Sequence, residues 1–309
     1  MTMHDTDSRR NKYLNDPESG GEMARLLEQD RFLTTCMGGL FPERGGDLSG
    51  IHDVLDVACG PGVWTQEVAS AYPQVRVTGF DISHAMIEYA RIQARLQGLE
   101  NARFEVIDAT APLPFEDASF DLVNARTLAG FMLASAWPAL VGECVRILRP
   151  GGILRLTETD NWGVTNKPAF EVLMAYAHRS SWLTGHSFDS SGRTFGLTPM
   201  LERLMKLAGL RNIKNSAYAV NFSIGTPAWE SMYENCRLFF KLVQPYEIMA
   251  REAFPDTGIP DQAELDRLYE QMLVEMIQDD FVGILYLLTA WGVKPQSGEG
   301  TGEETSAAR

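Results

Sequence analysis

The sequence predicts an α/β fold: a Rossmann-like, seven-stranded, mostly parallel sheet with an antiparallel last strand, helices on both faces and helical cap insertions. Three observations carry this expectation. Between residues 51 and 160, short apolar runs alternate with stretches of helical periodicity, the pattern of a parallel sheet wrapped by helices. The first run opens into a glycine-containing loop, Val54-Leu55-Asp56-Val57-Ala58-Cys59-Gly60-Pro61-Gly62, directly before a helix. Beyond residue 160 longer helical stretches take over, two of them set between the last two apolar runs.

The elements follow in order. Ser19-x-x-Glu22 fits a capping box for a helix over 20–38, with Met23, Leu26, Leu27, Phe32 or Leu33, and Met37 at near-helical spacing. A Gly/Pro/Asp-rich break at 41–50 separates it from the next block. Strands are then expected at 53–58, 75–80, 104–107, 120–125 and 153–157, with helices at 63–72, 85–97 and 137–148. Gly98 suits the end of the second of these helices, and Pro150-Gly151-Gly152 reads as a tight turn before the fifth strand.

After the fifth strand, Pro168 starts a helix over 167–182, and a polar loop covers 185–196. Thr198-Pro199 opens a helix that stops at Gly209. A strand follows at 213–224. Thr226-Pro227 opens a helix with a broad apolar stripe of Trp229, Met232, Tyr233, Cys236, Phe239, Phe240 and Val243. Asp261-x-x-Glu264 opens another, with Leu265, Leu268, Tyr269, Met272, Met276 and Ile277 on one side, before a last strand at 281–291. The domain reading is therefore an N-terminal helical extension (1–50), a nucleotide-binding core (51–160), and a helical insertion with the last core helix (161–210). Final strands with an inserted helical cap at 226–279 (211–295) and a disordered tail rich in Gly, Ser, Thr and Glu (296–309) complete it.

Of the 309 residues, 45% are hydrophobic and 22% charged, ordinary values for a globular chain. The formal charge of −14 disfavours a nucleic-acid partner and an anionic membrane surface. No apolar run is long enough to span a bilayer, and the first residues do not read as a secretory signal. Cys36, Cys59, Cys144 and Cys236 are widely spaced with no metal-ligand pattern, so no metal is expected. These features together predict reduced thiols and a cytoplasmic protein.

Chemistry concentrates at the ends of the early strands. Gly60 and Gly62 let the backbone turn sharply and approach a ligand, and the next helix presents free N–H groups there. Asp81 ends the second strand, where a carboxylate can accept both hydroxyls of a ribose. These two features alone suit a dinucleotide enzyme or a methyltransferase. The third glycine of a dinucleotide fingerprint is replaced by Thr65, and the Gly-Lys-Ser/Thr of a phosphate-binding loop is absent. A further acid, Asp108, ends the third strand.

The segment from Leu55 to Thr159 resembles a class I S-adenosylmethionine-dependent methyltransferase of the ubiquinone/menaquinone C-methyltransferase-like group. The matching pieces are Leu-Asp-Val-Ala-Cys-Gly-Pro-Gly (55–62), Gly-Phe-Asp-Ile-Ser (79–83), Asp-Ala (108–109), Pro-Phe-x-x-x-x-Phe-Asp (114–121) and Leu-Arg-Pro-Gly-Gly (148–152). One departure is Ala58, where the family usually has glycine. The resemblance implies S-adenosylmethionine as cofactor. It implies that Ala58, Gly60 and Gly62 let the loop approach the methionine part, and that Asp56 orients its amino group. Asp81 would take the ribose, Ile82 the adenine face, Asp108 the adenine amino group and the Ala109 N–H a ring nitrogen. Asn124 would line the cofactor near the reactive methyl.

A sulfonium methyl is already electrophilic, so the protein mainly supplies alignment. Where the acceptor must lose a proton, Glu158 and Asp160, just past the fifth strand, are the candidate bases. His178, His186 and Arg126 are weaker candidates, while His84 and Cys59 read as structural. The aromatic residues Trp162, Phe170, Tyr176, Trp182, Phe188, Phe195, Trp229, Tyr233, Phe239, Phe240 and Tyr246 suggest an apolar pocket over the strand ends. The Trp229 stripe itself reads first as core or as an oligomer contact. The expectation is a methyltransferase acting on a small organic acceptor of specialised metabolism, with an isoprenoid or quinone-like carbon as one alternative. A non-catalytic cofactor-binding or scaffold protein, a nicotinamide reductase and a nucleic-acid methyltransferase are the competing classes. A homo-oligomer is compatible with the extra helices, which could instead close as a lid.

Overall fold

The structure is a computed structural model, and it describes residues 18–296. The expected disordered tail falls, from residue 297 onward, outside the described residues. Helix α1 (Gly20–Cys36) precedes the alternating block β1 (Asp53–Val57), α2 (Val63–Ala71), β2 (Arg76–Asp81), α3 (His84–Leu96), β3 (Ala102–Val106), β4 (Phe120–Arg126), α4 (Trp137–Ile147) and β5 (Leu148–Glu158). Then come β6 (Val164–Thr165), α5 (Pro168–Leu183), α6 (Thr198–Leu207), β7 (Arg211–Asn221), α7 (Trp229–Ala253), α8 (Gln262–Met276) and β8 (Gly283–Val293). The caps read from the sequence form: Ser19 accepts the Glu22 N–H and Asp261 the Glu264 N–H.

The strand order is β3-β2-β1-β4-β5-β8, with β7 beyond β8. Strands β1 to β5 pair in parallel, and β8 runs antiparallel to both β5 and β7. The sheet has eight strands rather than seven. The extra one, β6, is a two-residue piece on β8 at Val164↔Ile284, taking up the edge where β5 stops at Glu158↔Leu288. Pro150-Gly151-Gly152, expected as a turn, lies instead within β5 as an irregularity opposite the Phe120–Leu122 register shift. Gly151 stays tied to the sheet by donating its N–H to the Lys294 carbonyl.

Side chains alternate cleanly through the sheet. Leu55, Val57, Val123 and Ala125 enter the large core on one face, which continues into α4, α6 and the cap helices. Val54 and Leu122 enter a second cluster with Phe41, Trp64, Val68 and Val77 on the other face. Helices α7 and α8 lie between β7 and β8 in sequence and pack on α5 and on each other, while α1 packs on α7 and α2. Helix α7 runs on to Ala253, past the end of the apolar stripe and through Pro245. Proline there removes one helical hydrogen bond, but buried Tyr246 and Ala250 hold the helix in place.

Glu247, on the same helix, is less comfortable. It is 1% exposed, and neither carboxylate oxygen has a hydrogen-bond partner among the described residues. Burial pushes its carboxyl up to about 8. In the unfolded chain it returns to the ordinary value of about 4.3. Its contribution to stability is therefore complete at low pH and is lost as pH rises through about 8. The melting temperature should be lower at pH 9 than at pH 6. Glu247→Leu should raise it at pH 9 by at least about 2 °C and flatten the dependence, as read by circular dichroism melts. A variant that melts lower than the parent at pH 9 would contradict this account.

Candidate active site

A row of polar side chains crosses three adjacent strands below the loop. Asp56 of β1 sits beside Asn124 of β4, and Asn124 beside Arg155 of β5, in strict register. Arg155 donates to Asn124 Oδ1 at 2.7 Å, and Asn124 Nδ2 donates to Asp56 Oδ1 at 2.8 Å. The ends are closed by Thr65, whose hydroxyl donates to Asp56 Oδ2 at 2.8 Å, and by Glu43, which accepts from Arg155 Nε at 2.8 Å. Glu43 and Arg155 are each 1% exposed at the side chain. Burial pushes Asp56 up to about 6, against the hydrogen bonds of Thr65 and Asn124 and the charge of Arg155, which pull it down.

Above this row the chain turns through left-handed conformations at Ala58, Gly60 and Gly62. Gly62 is required twice over. Its φ is +75°, and a Cβ there would stand 2.5 Å from Phe104 and 3.0 Å from Ala90. A Cβ on Gly79, facing the loop from β2, would stand 2.8 Å from the Thr65 hydroxyl and 2.9 Å from the Cys59 sulfur. Asp81 holds the loop: its Oδ2 accepts the Gly60 N–H and its Oδ1 the Ser83 N–H, both at 2.9 Å. Burial raises the Asp81 carboxyl above its usual range, opposed by those N–H groups. The N-terminus of α2 is not wholly free, because Asp30 of α1 accepts the Trp64 N–H at 2.7 Å.

A cavity opens here, lined by Asp56, Ala58, Gly60 and Asp81 together with residues that sequence reasoning did not select. These include Gln29 and Asp30 of α1 and Thr127 and Phe131 after β4, while Trp162 after β5 and Phe239 of α7, expected as pocket aromatics, also line it. Arg126, selected only as a weak base candidate, also lines it, paired with Asp30 and Thr34. The one signal for α1 was a polar stripe, Glu22, Arg25 and Gln29, which are all buried. The remaining cofactor candidates do not line this cavity. Ile82 and Asp108 are exposed at the neighbouring strand ends, Ala109 is buried beside them, and Asp108 Oδ1 accepts from Thr110. Asn124 lies beneath Asp56 rather than against the cavity, and Gly62 packs behind the loop.

The two expected bases are engaged elsewhere. Glu158 is fully buried and accepts the N–H groups of Leu128 at 2.7 Å and Ala129 at 3.4 Å. Burial pushes it up to about 8. Asp160 accepts the Leu197 and Thr198 N–H groups at the start of α6 and pairs with the Thr198 hydroxyl. His178 packs edge-on against Phe195, where burial pushes it down to about 4, and His186 packs with Thr184 and Tyr246. The expected aromatic pocket is narrower than the sequence suggested. Of the aromatic residues singled out, Trp162 and Phe239 line the cavity, while Phe170, Phe195 and Phe240 belong to the core and Trp229 stacks on Tyr233. Among the described residues no His/Cys/Asp/Glu group could hold a metal, and no helix is long and apolar enough to cross a membrane.

The chain is similar to known proteins. The methyltransferase domain family matches residues 54–152, which span β1 to the start of β5. A demethylmenaquinone methyltransferase of Staphylococcus aureus is 32% identical over 176 residues, covering 52% of this chain and 68% of that protein. The demethylmenaquinone methyltransferase of Lactococcus lactis is 35% identical over 132 residues, covering 42% and 51%. The 27-O-demethylrifamycin SV methyltransferase of Amycolatopsis mediterranei is 37% identical over 136 residues, covering 44% and 47%. The chain thus spans about half the length of the latter two relatives. In fold, a crystal structure from Bacillus halodurans described as a candidate methyltransferase superposes with a TM-score of 0.50 at 19% identity, covering 90% of this chain and 100% of that one. The glycine-containing loop, the acid ending β2 and this sequence similarity agree, and the chain belongs to the S-adenosylmethionine-dependent methyltransferase family.

Proposed function

We propose that this protein binds S-adenosylmethionine and moves its methyl group to a small organic acceptor. The observation that carries the reading is the cradle at Gly60, where the left-handed loop and the Asp81 carboxylate face the cavity that Trp162 and Phe239 also line. The residues fit the cofactor. Each Asp81 oxygen takes one backbone N–H and keeps a lone pair for a ribose hydroxyl. Asp56, fixed by the polar row, would orient the methionine ammonium. Exposed Ile82 would contact the adenine face. Asp108 Oδ2 and the Ala109 N–H would meet the adenine edge, and Asn124 would act through Asp56.

When bound, the cofactor supplies an electrophilic methyl on a sulfonium sulfur. The chain supplies position. Among the described residues, the cavity carboxylates Asp30, Asp56 and Asp81 are each already hydrogen-bonded, so none of them stands ready as a base toward the acceptor. Carbon methylation is a second reading, favoured by the similarity to demethylmenaquinone methyltransferases. The balanced charges of the cavity wall give no support to a nucleic-acid acceptor.

Calorimetry should show S-adenosylmethionine and S-adenosylhomocysteine binding at micromolar concentration or tighter. Asp81→Asn should weaken both by at least about tenfold, since one ribose contact loses its charge. Absence of binding to the parent protein would sink the reading. Affinity should also fall as pH is lowered from 7.5 to 5, by up to about tenfold per unit, because Asp56 protonates as pH drops through about 6 and so loses its attraction for the ammonium. Burial shifts Asp81 in the same direction. An affinity that stays constant across this range would remove Asp56 from the binding role.

A further inference from the structure

Asp56 is the member of the polar row that reaches the cavity, and what it offers there is decided two side chains away. Among the described residues, two side chains hydrogen-bond its carboxyl, Thr65 and Asn124. A hydroxyl can donate or accept, so Thr65 suits either protonation state of the acid. An amide cannot adapt without turning over. Asn124 presents Nδ2 to Asp56 because its Oδ1 already accepts from Arg155 Nη1 at 2.7 Å. A guanidinium only donates, so Arg155 permits this one orientation of the amide. Turned over, Asn124 would set an oxygen against the Asp56 oxygen and an N–H against the guanidinium.

Arg155 is itself held from several sides. Glu43 accepts its Nε at 2.8 Å and its Nη2 at 3.4 Å. The guanidinium carbon stands 5.9 Å from the centre of the Phe41 ring, and Trp291 of β8 is the register partner of Arg155. A buried ion pair is often no more stabilising than apolar residues of similar size, so stability alone does not account for this one. The other charges near Asp56 do not replace it. Asp81 pushes the Asp56 carboxyl up, whereas Arg155 pulls it down. The Cys59 thiol is kept neutral by burial. Arg25 and Arg126 line the same cavity but are paired with Glu22 and Asp30.

We infer that Arg155, braced by Glu43, is a positioning residue for the cofactor: it fixes the Asn124 amide so that Asp56 meets the methionine ammonium as a carboxylate. This rests on the methyl-transfer reading above and adds a remote control over the pH range in which the cofactor binds. Glu43 acts in the opposite sense, because its charge offsets that of Arg155.

The test follows the full chain by calorimetry from pH 5 to 8.5 with two probes. One is S-adenosylhomocysteine; the other is 5′-methylthioadenosine, which has the same nucleoside and no ammonium. In the parent, affinity for S-adenosylhomocysteine should break near pH 6, where Asp56 protonates. The double variant Glu43→Gln/Arg155→Met removes both buried charges together and frees the amide. Its break should move up by at least about one pH unit, so that at pH 6.5 S-adenosylhomocysteine binds at least about threefold more weakly than to the parent, recovering to within about twofold by pH 8.5. Glu43→Gln alone leaves Arg155 uncompensated and should move the break down, tightening binding at pH 5.5 by about twofold. 5′-Methylthioadenosine should bind both variants within about twofold of the parent at every pH, which also reports that they fold. A residue that only held the fold together would weaken both probes at every pH. The inference is overturned if the double variant breaks at the parent's pH, if Glu43→Gln fails to move the break down, or if 5′-methylthioadenosine weakens as much as S-adenosylhomocysteine. If the double variant does not fold, the direction of the Glu43→Gln shift decides. If S-adenosylhomocysteine fails to bind the parent, the methyl-transfer reading falls. If it binds the parent and the break stays fixed in the variants, that reading stands and the role of Arg155 does not.

Discussion

The structure depends on one buried polar row, Glu43–Arg155–Asn124–Asp56–Thr65. A carboxylate buried without partners would be expensive, and Asp56 is 4% exposed in the middle of a parallel sheet. The row offsets part of that cost by giving each oxygen a donor. Arg155 is likewise compensated by Glu43 on one side and Asn124 on the other. Because the three central members are exact register partners on β1, β4 and β5, the row locks the alignment of those strands. It also draws in the segment before β1 through Glu43 and the start of α2 through Thr65. A slip of one residue in any of the three strands would turn one member to the other face and strand a buried charge.

From this anchor the cavity is assembled by elements far apart in the chain. Helix α1 contributes Asp30, which both ties the first turn of α2 and pairs with Arg126 at the end of β4. The loop after β5 contributes Trp162, and the cap helix α7 contributes Phe239. The carboxylates at the end of β5 serve the scaffold. Glu158 fixes the backbone after β4 at Leu128 and Ala129, and Asp160 fixes the start of α6. The segment after β4 lines the cavity at Thr127, Gly130 and Phe131, so Glu158 acts on the geometry of the site without entering it. Thr127, held at φ +57° where a non-glycine residue is strained, lies between the anchored Leu128 and the paired Arg126.

Much of the fold was legible one residue at a time. The runs at β1, β2 and β4 and the caps at Ser19 and Asp261 follow from local propensity and turn chemistry, and the structure places them within a few residues of expectation. Where expectation and structure parted, tertiary packing had overridden a local signal. Pro150-Gly151-Gly152 has turn chemistry, yet its backbone is recruited by Lys294 just past β8. Pro245 has breaker chemistry, yet the helix continues, with Tyr246 and Ala250 buried beyond it. The short strand β6 had no signal of its own, since two residues cannot show a period.

The same division runs through the site. The sequence by itself determined the glycines of the loop, the acids ending β1 and β2, and the methyltransferase family, because these depend on backbone conformation and on positions fixed by the strand ends. Only the tertiary structure decided that Asn124 and Arg155 stand under Asp56, that Glu158 turns to the backbone after β4, and that α1, Trp162 and Phe239 close over the cavity. The reason is physical. The conformation that a glycine permits is a property of its own backbone, whereas the partner of a buried side chain depends on which distant surfaces the burial of apolar faces brings together.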